Sequence, residues 1–157
     1  MSNGTKNLLV VYHSASGNTQ RMADAVVAGL DAALSADFSY TLKTALDAGP
    51  GDVLACDGII LLTPENFGYM SGALKYFFDR IYYPCLDETQ GLPYALVIRA
   101  GNDGAGAQQS VERIITGLAW RAIAEPLVSK GEFNDDILPE CRELAESFAL
   151  GLESGIF

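Results

Sequence analysis

The chain is short of positive charge. Ten Lys and Arg face twenty Asp and Glu among 157 residues, for a formal net charge of -10. Neutralising a nucleic-acid backbone takes clustered Lys and Arg, so nucleic acid is not an expected partner. An anionic membrane surface has no basic patch to attract. Long apolar runs are also missing. Ile59 to Leu62 is closed off by Gly58 and Thr63, far short of a membrane span. Met1 to Lys6 is polar, and Leu8 to Tyr12 is too short for the core of a signal peptide. The three cysteines, Cys56, Cys85 and Cys141, form no CxxC and no Cys/His cluster. A scattered odd set speaks against a disulfide framework and against structural zinc, and no metal is expected. The expectation is three reduced thiols packed as small apolar residues in a cytoplasmic protein. Cys85, following Pro84 in an expected loop, is the one candidate for a reactive thiol.

What is present suits a single folded domain. Hydrophobic residues make up 49% and charged residues 19%, which argues against disorder. The length fits one domain over 1–157 with a sizeable core. No internal repeat or linker interrupts it. Asn7 to His13 and Gly58 to Thr63 are continuously apolar, as strands buried on both faces are. Phe38 to Leu42, Tyr94 to Arg99 and the short Leu127-Val128 complete five expected strands. Helices are expected over Asn18 to Leu34, Ser71 to Tyr82, Ala107 to Trp120 and Ile137 to Leu150, with a short one at Asp52 to Cys56. Alternating strands and helices imply an α/β fold: a parallel five-stranded sheet covered on both faces, in the order 2-1-3-4-5. In such a sheet the ligand lies outside the carboxyl ends of the strands, between the first and third.

Three segments then fall at the expected site. The first, Ser14-Ala15-Ser16-Gly17-Asn18-Thr19, joins a buried strand to a helix. Its backbone N–H groups and the helix dipole suit an anion, although Ser, Asn and Thr also serve as ordinary helix caps. It has no GxxxxGK[ST] lysine, which excludes an NTPase loop, and no cysteine, which excludes phosphatase chemistry. No acidic cluster suggests a phospho-acceptor. A loop of hydroxyls and amides without basic residues suits a terminal phosphate that is held rather than transferred. The second segment runs Thr63-Pro64-Glu65-Asn66-Phe67-Gly68-Tyr69-Met70-Ser71-Gly72. Phe67 and Tyr69 are placed to stack on a planar ring or simply to cover the sheet end, and Gly68 permits close backbone approach. The third, Ala100-Gly101-Asn102-Asp103-Gly104-Ala105-Gly106-Ala107, has no bulky side chain. It either presents N–H groups to the polar edge of a heterocycle or is a turn capped by Asp103.

These segments carry a family resemblance. Ser14 to Thr19 resembles the phosphate loop of flavodoxins. Pro64 to Gly72, continuing through Leu74, Phe77, Phe78 and Asp79, looks like the second flavin loop and helix of flavodoxin-like NAD(P)H-dependent quinone and FMN reductases. The resemblance implies a flavodoxin-like three-layer sandwich and non-covalent FMN. It places the ribityl phosphate on Ser14, Ser16, Gly17, Asn18 and Thr19. Pro64, Glu65, Asn66, Phe67, Gly68 and Tyr69 would flank the isoalloxazine. Gly101, Asn102, Asp103, Gly104 and Gly106 would approach its other edge. The chemistry would then belong to the flavin, with no catalytic side chain, NAD(P)H as the electron donor, and a quinone, flavin or similar small molecule as acceptor. The alternative is a one-electron carrier for a redox protein. The chain departs from the quinone reductases in being shorter, and from flavodoxins in the second loop. A homodimer is compatible with the resemblance.

Other residues receive lesser expectations. His13, the sole histidine, either donates to the phosphate or is structural. A Ser-His hydrolase is excluded by the absence of a GxSxG elbow. Trp120 is expected in the core or at an interface. Tyr82 and Tyr83 are candidates to cover the ring, and Glu65 either acts near it or is solvated. Glu132, Asp135, Asp136, Glu140, Glu143 and Glu146 form an acidic tract, which either steers a basic partner or keeps a helix face in water.

Overall fold

The computed structural model describes residues 4–157, so the sequence expectation for Met1 to Lys6 falls partly outside the described residues. Strand β1 (Lys6–Tyr12) is followed by α1 (Asn18–Ala33), β2 (Phe38–Thr44), α2 (Pro50–Ala55) and β3 (Gly58–Asn66). Then come β4 (Tyr69–Met70), α3 (Gly72–Cys85), β5 (Pro93–Ala100), α4 (Ala105–Leu118), β6 (Arg121–Ala122), β7 (Leu127–Lys130) and α5 (Ile137–Glu153). The sheet order is β2-β1-β3-β5-β6, with β7 also on β5, and all of these pairings are parallel.

The continuous apolar strands follow from this layering. Successive strand residues point to opposite faces, so a strand covered on both sides needs apolar residues at every position. Leu9, Val11, Ile59, Leu61, Leu96 and Ile98 meet Phe77, Phe78, Val111 and Ile115 on one face. Leu8, Val10, Ile60, Leu62, Ala95 and Val97 meet Met22, Val26, Leu30 and Phe148 on the other. Helices α1 and α5 press so closely that a Cβ on Gly29 would lie 2.3 Å from the Arg142 carbonyl oxygen. The long aliphatic residues of these strands are buried completely. Each contributes on the order of 1.5–3 kcal/mol.

The expected topology holds, with three differences. The sheet has seven strands rather than five. One addition is β4, because β3 continues past Thr63 to Asn66 and turns back as an antiparallel hairpin. The other is β6: the fifth parallel strand is interrupted, and Arg121–Ala122 and Leu127–Lys130 pair with the start and end of β5 separately. Third, α3 runs through Pro84 to Cys85 instead of stopping before the proline. Pro84 lies at the helix's end, where one lost backbone bond disturbs little downstream.

Candidate functional site

The three segments singled out in the sequence all lie at the carboxyl ends of β1, β3 and β5. The loop after β1 is organised by one side chain. The Ser14 hydroxyl accepts from the backbone N–H of Gly17 and of Gln20, both at 3.1 Å. Gly17 turns the chain into α1 with φ 97° and ψ -19°, a left-handed conformation that favours glycine. The N–H groups of Ala15, Ser16, Asn18 and Thr19 have no hydrogen-bond partner among the described residues. No acidic side chain occupies the first turn of α1. Thr19 is buried there, and Ser16 is exposed. Unpartnered N–H groups at a helix start with no carboxylate to compete form an anion cradle, so the residues present fit a phosphate.

The second segment is a tight hairpin. Asn66 pairs with Tyr69 and Glu65 with Met70. The two turn residues, Phe67 and Gly68, have φ of 53° and 69°. Positive φ at both central positions is the pattern of a type I′ turn, whose twist matches the flanking strands. Asn or Asp usually fills the first position; here it is Phe67, and its side chain stands free in solvent with 107% relative exposure. Packing does not account for an aromatic at this left-handed, solvent-exposed position. Buried hydroxyls fix the hairpin's base. The Thr63 hydroxyl donates to the Pro64 carbonyl at 2.8 Å and accepts from the Ser71 N–H at 3.0 Å. Ser71 caps α3 by accepting from the Leu74 N–H at 3.1 Å. The far strand is tied to α4, where the Met70 N–H donates to the Ser110 hydroxyl at 3.2 Å. Gly106 completes the clamp, since a Cβ there would sit 1.9 Å from the Gly68 carbonyl oxygen. Gly106 therefore seats the hairpin from inside α4.

In the third segment Gly101, Asn102 and Asp103 are exposed, and no aromatic side chain covers them. Asp103 accepts from the Ala105 N–H at 3.0 Å, and Gly104 enters α4 with φ 74°. The start of this loop is held by Arg99. Its guanidinium donates to the carbonyls of Ala100, Ser129 and Gly131 at 2.7, 3.1 and 2.6 Å. Two guanidiniums lie over the Phe133 ring, Arg21 at 5.0 Å and Arg99 at 5.5 Å from its centre. Arg21 also pairs with Asp135 at 2.8 Å.

Several residues fall elsewhere than expected. Tyr82 and Tyr83 lie near the end of α3, about 15 Å along the helix from its start beside the hairpin, so they do not cover the site. Cys85 is the last residue of that helix and fully buried, not a loop thiol. Burial pushes the Cys85 thiol up. It takes Cys56 and Cys141 to about 12, with smaller help from Asp57 and Glu140 respectively. Trp120 is in the core as expected, its Nε1–H donating to the Thr89 hydroxyl at 2.9 Å, although α4 ends before it. His13 is half-buried, and its backbone N–H donates to the Leu62 carbonyl at 3.2 Å. Glu65 is half-buried in the hairpin. Among the described residues no group of three or more His, Cys, Asp or Glu could hold a metal ion, and no helix is long and apolar enough to cross a membrane. Sequence reasoning missed the supporting roles of Thr63, Arg99 and Ser110. Only the buried position of Thr63 at a strand end hinted at one.

Comparisons with known proteins agree with this geometry. A flavodoxin from Aquifex aeolicus is 31% identical over 111 residues, covering 71% of this chain and 59% of that protein. An NAD(P)H dehydrogenase (quinone) from Acidithiobacillus ferrooxidans is 33% identical over 91 residues, 46% of each chain. The chain thus spans less than two thirds of the length of either relative. The solved structure of a flavodoxin from the domain Archaea superposes with a TM-score of 0.79 at 20% identity, over 94% of this chain and 99% of that one, which shows the flavodoxin-like fold. The NADPH-dependent FMN reductase family matches residues 51–135, from α2 through the hairpin and the third loop to the segment before α5. That match covers more than half of the sequence, and the chain belongs to the NADPH-dependent FMN reductase family.

Proposed function

We propose that residues 1–157 form one domain that binds FMN without a covalent bond and takes electrons from NAD(P)H for a quinone, a flavin or a similar small acceptor. The observation that carries this reading is the open third loop beside a hairpin that α4 holds through Gly106 and Ser110. Gly101, Asn102 and Asp103 are exposed and bear no ring, so a flavin seated there keeps one face free for a donor and then an acceptor. The free N–H groups of Ser16, Asn18 and Thr19 hold the ribityl phosphate, while Gly17, whose N–H donates to the Ser14 hydroxyl, turns the loop around it. Pro64, Glu65, Asn66, Phe67, Gly68 and Tyr69 flank the ring. The backbone of Gly101, Asn102, Asp103 and Gly104 supplies polar groups to its other edge, and Gly106 keeps the hairpin in place. FMN, when bound, supplies the hydride and electron chemistry; the protein positions it and sets its electronics.

A second reading, a one-electron carrier for a basic redox protein, is favoured by the net charge of -10 and by the relative named as a flavodoxin. Anaerobic titration of FMN-loaded protein with NADPH and then NADH separates the two. Loss of the visible flavin absorbance within a catalytic time is the result expected of a reductase. Flavin that stays oxidised with both nucleotides, yet bleaches with dithionite, overturns the reductase reading in favour of the carrier.

A further inference from the structure

Beside the hairpin, on the side away from the first loop, a groove runs between α3 and α4. Its upper part, about 220 Å³, is lined by Gly68, Tyr69, Gly106, Gln109, Ser110 and Arg113. Its lower part, about 260 Å³, lies between Lys75, Phe78, Asp79 and Tyr82 of α3 and Arg113 and Ile114 of α4, the Asp79 carboxylate being held by Lys75. Arg113 belongs to both and joins them. Its position follows from helix geometry: Gly106, Ser110, Arg113 and Gly117 share one face of α4. Gly106 touches the hairpin, while Gly117 makes room for the Tyr82 hydroxyl, 2.3 Å from where a Cβ would stand.

The charge of Arg113 is the unexplained feature. Arg21 pairs with Asp135, while Arg80 and Arg99 spend their guanidiniums on backbone carbonyls. Lys75 in the same groove is taken by Asp79. The exposed side chain of Arg113 has no hydrogen bond and no ion pair among the described residues. Arg121 and Arg142 are also unpaired, but they lie at the amino end of the sheet and on α5 across it. A chain with twice as many acids as bases thus leaves a bare guanidinium next to its candidate ring site, beside an amide (Gln109), a hydroxyl (Ser110) and a phenol (Tyr69).

We propose that Arg113, with Gln109 and Tyr69, forms a phosphate subsite for the adenosine half of the dinucleotide donor; this rests on the reductase reading above. A guanidinium grips a phosphate through two parallel N–H bonds. The donor carries a diphosphate and, in its phosphorylated form, a further monoester. A donor laid across the hairpin tip has its nicotinamide on the ring side and these phosphates on the α3–α4 side. The subsite also answers an electrostatic problem, because an anionic donor must approach a protein of the same sign.

The test compares wild type with Arg113→Gln and Arg113→Lys, all FMN-loaded. Flavin reduction is followed with NADPH, with NADH and with reduced nicotinamide mononucleotide, which lacks the adenosine half. Binding of adenosine 5′-diphosphate and adenosine 2′,5′-diphosphate is measured by calorimetry. Arg113→Gln is expected to weaken at least one full dinucleotide and its matching adenosine phosphate about tenfold, the effect of losing one charged contact. Reduced nicotinamide mononucleotide, FMN affinity and thermal midpoint are expected to stay unchanged, with partial rescue in Arg113→Lys. Equal affinity of wild type and Arg113→Gln for every adenosine phosphate overturns the subsite. So does an equal loss with the mononucleotide. If no nucleotide reduces the wild-type flavin, the reductase reading fails, and the calorimetry still decides whether the groove takes adenosine phosphates.

Discussion

Phe67 is the residue at which local preference and function part company. A side chain at φ 53° on a fully exposed hairpin tip gains nothing from packing. Left-handed backbone costs an ordinary L-residue on the order of 1 kcal/mol, and Asn much less. Phe67→Asn is therefore expected to raise stability by about 0.5–1 kcal/mol, or ~1–4 °C in thermal midpoint for a chain of this size. If Phe67 flanks the isoalloxazine as proposed, the same change removes that ring surface, and FMN affinity falls, read by quenching of flavin fluorescence. A variant that loses stability and keeps FMN affinity would show that the aromatic belongs to the fold and not to the ligand. The cysteines carry the opposite message. All three are buried, and their thiols are pushed up, Cys56 and Cys141 to about 12, chiefly by burial. Thiolate is the reactive form, so at neutral pH none should react with an aromatic disulfide reagent in the native state. All three should react after denaturation; fast native labelling of one would refute the assignment of inert packing.

At the scale of elements, the hairpin and α4 act as one piece, and Gly106 is where they meet. Gly106→Ala would place a methyl group 1.9 Å from the Gly68 carbonyl oxygen, so the hairpin must move. Overpacking of this kind costs about 1–3 kcal/mol. A lowered thermal midpoint and weakened FMN binding are expected together, whereas wild-type FMN affinity would detach the hairpin from the ring. The start of α2 carries a pH-sensitive contact. Burial alone would raise the Asp52 carboxyl, but Lys43 at 2.8 Å and the Gly49 N–H at 2.9 Å bring it below its ordinary 3.8. A lowered carboxylate stabilises the fold above that value and loses its contribution as pH falls through the folded value. Asp52→Asn should thus lower the thermal midpoint at pH 7 and have a progressively smaller effect as pH falls below 3.8. An equal loss at every pH would rule out the ionised contact.

The elements differed in how openly the sequence showed them. β1, β3 and β5 were legible because burial on both faces leaves an uninterrupted apolar run, and the loops at their carboxyl ends then followed from topology. The hairpin was not legible, because its turn lacks the Asn-Gly or Asp-Gly pair that marks one and has Phe67 at the left-handed position. β6 was hidden by its two-residue length, and the end of α3 by the usual rule that proline stops a helix. Arg99 and Ser110 looked like ordinary polar residues. Their partners, the Gly131 carbonyl and the Met70 N–H, are 32 and 40 residues away in sequence, a proximity only the folded chain reveals.

Taken whole, the molecule carries a net charge of -10 around a candidate site that combines N–H donors and the Arg113 guanidinium with the carboxylates of Glu65 and Asp103. The acidic tract includes Glu132, Asp136, Glu140 and Glu143, all exposed, while Asp135 is partly spent on Arg21. A field of one sign acts over a Debye length, about 30 Å at 0.01 M salt and about 10 Å at 0.1 M. It accelerates encounter with a partner of opposite charge and leaves a neutral small molecule untouched. Electron transfer from the reduced protein to a basic haem protein should therefore slow at least about tenfold as salt rises across that range. Transfer to an uncharged quinone should hardly change. If the quinone reaction is also the faster at every salt concentration, the acidic surface serves solubility and the small acceptor is the physiological kind. If the haem protein outpaces the quinone at low salt and loses that advantage at high salt, the field is part of the function, and the same open flavin face serves a protein partner.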